Sequence, residues 1–352
     1  MRNHIIFFSG GKASFAVAAY VKERYPADNI LLYFTDTLWE NEDSYRFINE
    51  SSDKLELPLL THSIGINPIQ LMFEKKIMYN SRMADCSKYL KMRVAADYLK
   101  KNKIPKIQTW RNKASLKNLD FITNATVYFG IGIEELHREG PIVENWKPFK
   151  VRMPLIEESI DIRKSLKTYN IKQPELYDLE FSHNNCNGRC VKAGQGHYRN
   201  LKRKMPEVYK KLMEQEYHLS MCVSSYRYII YGNSPKDTIH PDDIIPLDVQ
   251  ERELQELDDA YRDYFYDRAE RPKLYIHPAA SSVNMEMRMY SFMKKANPEF
   301  VSPLYDDTGA LFLESGMARS IPYSLYQFHI DEQKKPYQLD LFDIGGCGCF
   351  IQ

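Results

Sequence analysis

HIIFFSGGKASFAVAAYVKERY, residues 4–25, reads as strand, glycine turn and helix. Ile5 to Phe8 is a short apolar run of the kind that forms a buried strand. Ser9, Gly10, Gly11 and Ser14 tolerate crowding, and they surround one lysine, Lys12. From Ser14 to Tyr25 apolar residues recur at helical spacing, and Pro26 closes the run. Glycines let a backbone approach a ligand closely. Successive N–H groups at a helix start favour an anion. Lys12 adds a point charge and the two serines add hydroxyls. The spacing is not that of a Walker A loop, yet the residue types predict a phosphate cradle.

The pattern continues outward. NILLYFTDT, residues 29–37, is a second buried strand ending in Asp36 and Thr37. SYRFINESSDKLEL reads as a helix, and Leu59 to Ser63 as a third strand. This β-α-β-α-β alternation predicts an α/β fold, a parallel sheet flanked by helices. Ligands of such sheets bind beyond the carboxyl ends of the strands. FFSGGK and YFTDT should therefore line one crevice. Lys88 to Asn102 reads as helical, and residues 125–139 as a strand running into a polar loop. The expected organisation is a nucleotide-binding domain over 1–160 and a helical segment with a cysteine loop over 161–220. An insertion or helical subdomain over 221–300 and a C-terminal segment over 301–352 complete it.

Ser9-Gly10-Gly11-Lys12-Ala13-Ser14 resembles the signature of the PP-loop ATP pyrophosphatases, the adenine nucleotide alpha-hydrolase superfamily with its Rossmann-like fold. Three further stretches resemble its phosphoadenosine phosphosulfate reductase branch. They are TDTLWENEDSYRFI with Asp36 and Thr37, RMADCSKYLKMR with Cys86 and Lys91, and YFGIGIEELHRE with Glu134, Glu135 and Arg138. PLIE, residues 154–157, resembles the segment that follows. The resemblance implies an adenine nucleotide, ATP or a relative, with Mg²⁺. Lys12 and the turn would hold its pyrophosphate, Asp36 and Thr37 would face the adenosine, and Lys91 and Arg138 would contact phosphate. The usual aspartate of the loop is Ala13 here, which removes one carboxylate. Taken alone, Asp36 also suits a helix N-cap, Lys91 and Arg138 suit surface charges, and Cys86 suits a small buried residue.

HNNCNGRCVKAGQGHY, residues 183–198, holds Cys186 and Cys190. GGCGCFIQ, residues 345–352, holds Cys347 and Cys349. Two close pairs set among glycines predict a four-thiolate site for zinc or a [4Fe–4S] cluster. His183 is a substitute ligand, and Cys222 reads as core. The NNC-G-CVKAGQ segment and the terminal CGCF resemble a reductase-like subset found in phages and bacteria. The Gly-Leu-His cysteine motif of assigned reductases is absent from the sequence.

The 352 residues are 43% hydrophobic and 27% charged, with a net charge of +1. That balance predicts a folded globular chain and gives no global electrostatic reason to bind nucleic acid. Local basic stretches remain. HYRNLKRKMPEVYKK carries His197, Arg199, Lys202, Arg203, Lys204, Lys210 and Lys211, and LKKNKIPKIQTWRNK follows the same style. Either could seat a tRNA or DNA backbone. No run approaches the about 18 apolar residues of a membrane helix, so a cytoplasmic protein without a membrane partner is expected, with an oligomer left open.

The leading expectation is an ATP-dependent PP-loop enzyme of sulfurtransferase or reductase type. It adenylates a substrate for sulfur or nitrogen transfer, in nucleobase or nucleic-acid modification. One alternative is a sulfonucleotide reductase. The other is a non-catalytic nucleotide-binding module of a defence or modification complex, which Ala13 favours.

Overall fold

A computed structural model describes residues 1–75, 79, 84–223, 325, 328, 329 and 332. The carboxyl-terminal cysteines, Cys347 and Cys349, lie outside them. So do most of the expected subdomain over 221–300 and most of the segment over 301–352.

Six strands form one sheet among the described residues. They are β1 (Asn3–Phe7), β2 (Asn29–Thr35), β3 (Leu59–Ser63), β4 (Ile107–Arg111), β5 (Thr126–Tyr128) and β6 (Lys150–Arg152). Their order is β4-β3-β2-β1-β5-β6. All neighbours run parallel except β3 and β4. In chain order α1 (Lys12–Arg24), α2 (Glu42–Lys54), α3 (Pro68–Lys75) and α4 (Arg93–Lys101) follow the first three strands; α1 and α2 cover one face of the sheet, and the other is covered by α4. The last is entered through a wide π-helical turn, Ser87–Met92. Then come α5 (Glu139–Asn145), α6 (Pro154–Glu157), α7 (Ile162–Thr168), α8 (Glu175–Asp178), α9 (Gln195–Lys204) and α10 (Pro206–Val223).

The alternation of side chains along β1 builds two cores. Ile6 and Phe8 face one, with Phe15, Val17, Ala18 and Phe47. Ile5 and Phe7 face the other, with Tyr33, Phe129 and Trp146. A strand buried on both faces reads as a continuous apolar run, which is why Ile5 to Phe8 shows no alternation in sequence. β2 is buried along its whole length for the same reason.

β4 and β6 are the strands that apolar patterning misses. β4 falls inside the basic stretch of residues 99–113 and is mostly exposed. It closes the sheet as an antiparallel edge. A charged edge resists pairing with another chain. Arg111 is tied to Asp53 at 2.5 Å and Lys101 to Asp97 at 2.8 Å, so part of that basic cluster is neutralised within the fold.

Two compact units are distinguished. Of the described residues, one contains 1–68, 79 and 84–204; the other contains 69–75, 205–223, 325, 328, 329 and 332. In the second unit, Tyr209 Oη donates to the Leu325 carbonyl at 2.7 Å, and the Leu325 N–H donates to Glu216 at 2.7 Å. Lys210 and Lys211 lie on α10, in this second unit. No helix among the described residues is long and apolar enough to cross a membrane.

Strand order reverses beside β1: β2 and β3 lie to one side, β5 and β6 to the other. The carboxyl end of β1 is thus the switch point where such sheets bind ligands. The chain crosses itself closely there. A Cβ on Gly130, just after β5, would lie 2.8 Å from the Ser14 nitrogen and 3.0 Å from the Ala13 carbonyl carbon. Backbone cannot yield as a flexible side chain does. Gly130→Ala should therefore lower stability by about 1–3 kcal/mol. Urea denaturation beside the wild type checks this, and an unchanged midpoint would contradict the close approach.

Candidate functional site

The glycine turn is held open from within. Gly10 has φ +78°, in the region glycine favours, and a Cβ there would meet the Ile48 side chain at 2.9 Å. Ser14 Oγ donates to the Gly11 carbonyl at 2.8 Å, and Ser9 Oγ to Ser14 Oγ at 3.4 Å. Ser14 thus braces the turn. Helix α1 has no carboxylate in its first turn and carries Lys22 and Arg24 in its last. Its dipole and open N–H groups are left facing the crevice.

Lys12 forms no ion pair among the described residues. Its Nζ lies 4.2 Å from the centre of the Tyr177 ring. Burial raises the Tyr177 phenol, while the backbone N–H groups of Lys12 and Asn184 oppose the rise. The Tyr177 hydroxyl lies against the turn: a Cβ on Gly11 would meet it at 3.0 Å.

A second segment straps the turn down. Asn184 is buried; its Nδ2 donates to the Gly10 carbonyl at 2.9 Å and its Oδ1 accepts from Ser44 Oγ at 2.9 Å. Two residues later the Cys186 N–H donates to Glu40 Oε2 at 2.5 Å. Asn187 Oδ1 then accepts from Asn41 at 2.9 Å. The asparagines around Cys186 are thus connectors to the nucleotide end of the sheet. From the other side, His197 Nε2 contacts the Gly188 carbonyl at 2.7 Å, and Tyr198 Oη donates to the Cys190 carbonyl at 2.9 Å. Arg203 and Lys204 reach Glu180. In α9, part of the basic stretch expected to seat a nucleic acid, His197 and Tyr198 thus brace the cysteine loop.

The loop delivers Cys186 and Cys190 to a narrow pocket that Cys86 and Lys91 also line. Lys91 enters from the π-helical turn. Its ammonium is 3.5 Å from Glu40 Oε1, and both side chains are buried. Burial acts to lower its pKa, but Glu40 and the sulfurs of Cys186, Cys86 and Cys190 outweigh that and hold it above the usual lysine value. Arg189 covers the Trp39 ring at 3.7 Å and donates to the Trp39 carbonyl at 3.0 Å. Burial pulls Arg189 down to about 10. Lys91, Arg189 and Lys192 thus line the pocket, with Glu40 paired to Lys91 but not among the lining residues. An excess of positive charge favours a thiolate or another anionic sulfur species. Burial works the other way, pushing the Cys86 and Cys190 thiols up and Cys186 well up.

The expected nucleotide residues sit where the turn and β2 end. Asp36 Oδ1 accepts from the Leu38 N–H and from Tyr45 Oη, both at 2.8 Å. Burial raises its pKa against those bonds. Thr37 Oγ1 donates to Glu40 at 3.1 Å. Arg138 is buried and paired with Glu135. Lys91 lies with the cysteines, so the two cations expected on phosphate occupy different surroundings. His183 Nδ1 is 2.7 Å from Ser182 Oγ, and burial lowers its ring to about 4. No three His, Cys, Asp or Glu side chains among the described residues form a group that could hold a metal ion. Cys86, Cys186 and Cys190 supply soft donors of the right kind without closing a ligand set. For a hard cation, Asp36 offers one carboxylate beside the phosphate cradle, the number Mg²⁺ needs when phosphates supply other ligands.

Glu40, Asn184 and Tyr177 are the residues that motif reading passes over. Glu40 lies in the TDTLWENEDSYRFI stretch beside Asp36 and Thr37, among other acidic residues. It follows Thr37 closely, directly precedes the N-cap Asn41 and is buried. Lys91→Met leaves the Glu40 carboxylate buried without its cation and should cost about 3–5 kcal/mol. Adding Glu40→Gln should recover much of that loss. Denaturation of the single and double variants checks this; equal losses in both would contradict the pairing.

Residues 3–112 match the family model described as phosphoadenosine phosphosulfate reductase domain, within the PP-loop or adenine nucleotide alpha-hydrolase superfamily. No curated protein matches the chain. No solved structure matches it either.

Proposed function

On the premise that residues 3–112 are a domain of this reductase family and superfamily, we propose an ATP-dependent enzyme that adenylates its substrate for sulfur transfer. One observation carries the reading. The strap from Asn184 to Cys186 ties the glycine turn and the cysteine pocket to the same end of the sheet.

In the proposed reaction a substrate oxygen attacks the α-phosphorus of ATP. The bond to the α–β bridging oxygen breaks, and pyrophosphate leaves with the electron pair. Lys12 and the turn amides hold that leaving group in fixed orientation, so little reorganisation is needed as its charge develops. Mg²⁺, when bound, offsets phosphate charge, with Asp36 as its carboxylate. Arg138, released from Glu135, is the candidate contact for the α-phosphate. A sulfur nucleophile then attacks the activated carbon, and AMP departs with the carbon–oxygen electron pair. Lys91 serves the sulfur end, where its ammonium favours an anionic sulfur among Cys86, Cys186 and Cys190.

Cys186 and Cys190, with Cys347 and Cys349, are the proposed holders of zinc or a [4Fe–4S] cluster. A tRNA or DNA acceptor is the proposed partner of the basic residues of α9, Arg199, Lys202, Arg203 and Lys204. Sulfonucleotide reduction is the second reading, favoured by the family match together with three cysteines on one pocket.

Lys12→Ala should weaken ATP binding at least tenfold and abolish AMP release, measured by calorimetry and nucleotide chromatography. Undiminished binding would end the glycine-turn assignment. Sulfite released from phosphoadenosine phosphosulfate and a dithiol would mark the second reading instead. Protein purified without oxygen should carry iron or zinc that Cys186→Ser loses, as measured by elemental analysis. Equal metal in both would remove Cys186 from the site.

A further inference from the structure

Beside the glycine turn lies a cavity of about 560 Å³ that the nucleotide residues do not account for. Ser9, Gly10, Asp36 and Thr37 are not among its lining residues; Lys12 is. We propose that this cavity seats a second ligand, a nucleoside monophosphate, either free or at the end of a strand. The juxtaposition behind the proposal is two cations, Lys12 and Arg163, with the Tyr177 and Phe181 rings around one cavity.

The charges come first. Arg163 sits at the start of α7, where its backbone N–H donates to the capping Asp161 carboxylate at 2.9 Å. Its guanidinium forms no ion pair among the described residues, and neither does the Lys12 ammonium. Arg163 is the cation that the glycine turn does not use, and Lys12 stands at the edge shared with the turn. The arginine fork matches phosphate oxygens, and the lysine adds a point charge.

The walls decide the rest of the ligand. Leu166 and Phe181 are buried, and Ile162 extends the apolar side. Inorganic phosphate alone would leave those walls bare. The volume falls within the about 300–1,000 Å³ of small-molecule sites. Aromatic rings accept any nucleobase face, at about 1–3 kcal/mol per stacked base. A phosphate joined to a planar body therefore satisfies both halves of the cavity.

Position gives the ligand a role. Lys12 is common to the turn and the cavity, so a monophosphate seated here lies beside the nucleotide that the turn would hold. Any part it plays in that nucleotide's reaction rests on the adenylating reading. The binding itself does not.

The test is calorimetric titration of CMP, GMP and UMP into the full chain saturated with α,β-methylene-ATP. At least one should bind, and Arg163→Glu should weaken it at least tenfold. The affinity of that variant for α,β-methylene-ATP should stay within twofold of wild type. No monophosphate binding to wild type, or binding that Arg163→Glu leaves unchanged, would overturn the proposal. So would an equal loss of α,β-methylene-ATP affinity in Arg163→Glu, which would make the cavity part of the first nucleotide's site. Failure of the glycine-turn reading looks different: α,β-methylene-ATP would bind neither wild type nor variant, while monophosphate binding would still depend on Arg163. Competition by a 5′-phosphorylated oligonucleotide at lower concentration would identify a strand end as the source. Its failure to compete would identify a free mononucleotide.

Discussion

The side-chain amide of Asn184 is the contact on which the site depends. It is buried, and it joins the Gly10 carbonyl to the Ser44 hydroxyl. A buried amide without partners costs about 1–3 kcal/mol, so the group is held where both partners are. The consequence is mechanical. Gly10 is the left-handed residue of the turn, and Cys186 lies two positions from the asparagine. A displacement of the turn reaches the cysteine loop through two hydrogen bonds, one at Asn184 and one from Cys186 to Glu40. The glycine turn and the cysteine pocket thereby share a frame.

Glu40 is the second joint of that frame. It receives the Thr37 hydroxyl from the end of β2, the Cys186 N–H and the Lys91 ammonium. Three donors on one buried carboxylate compensate for its removal from water. The arrangement also sets the electrostatics of the neighbouring pocket, because Lys91 is fixed within reach of three sulfurs. The wide turn at Ser87–Met92 that delivers Lys91 is of a kind often found at functional sites.

Much of the fold was legible in residues 4–37 and 59–63. Their unbroken apolar runs have one physical cause, burial on both faces of a parallel sheet. β4 was not legible because an exposed, basic edge strand carries no apolar pattern. The turn was legible from glycine, serine and lysine, although Ser14 braces the loop rather than facing the crevice. The pocket residues were legible by type and not by partner. Cys86 is distant in sequence from Cys186 and Cys190, and only the sheet brings it alongside them. Tyr177 left no sequence signal, since a tyrosine in a polar helix reads as surface. The asparagines of HNNC did carry a signal, because two amides beside a cysteine suggest obligatory hydrogen bonds. The partners of Asn184, Gly10 and Ser44, could be named only from the fold.

The claim at the centre of this account is that the turn and the cysteine loop respond together. Hydrogen–deuterium exchange of the full chain, with and without ATP and Mg²⁺, reads this directly. The account predicts slower exchange over residues 9–14 and, in the same titration, over residues 184–190. Protection confined to residues 9–14, with residues 184–190 unchanged, would contradict it.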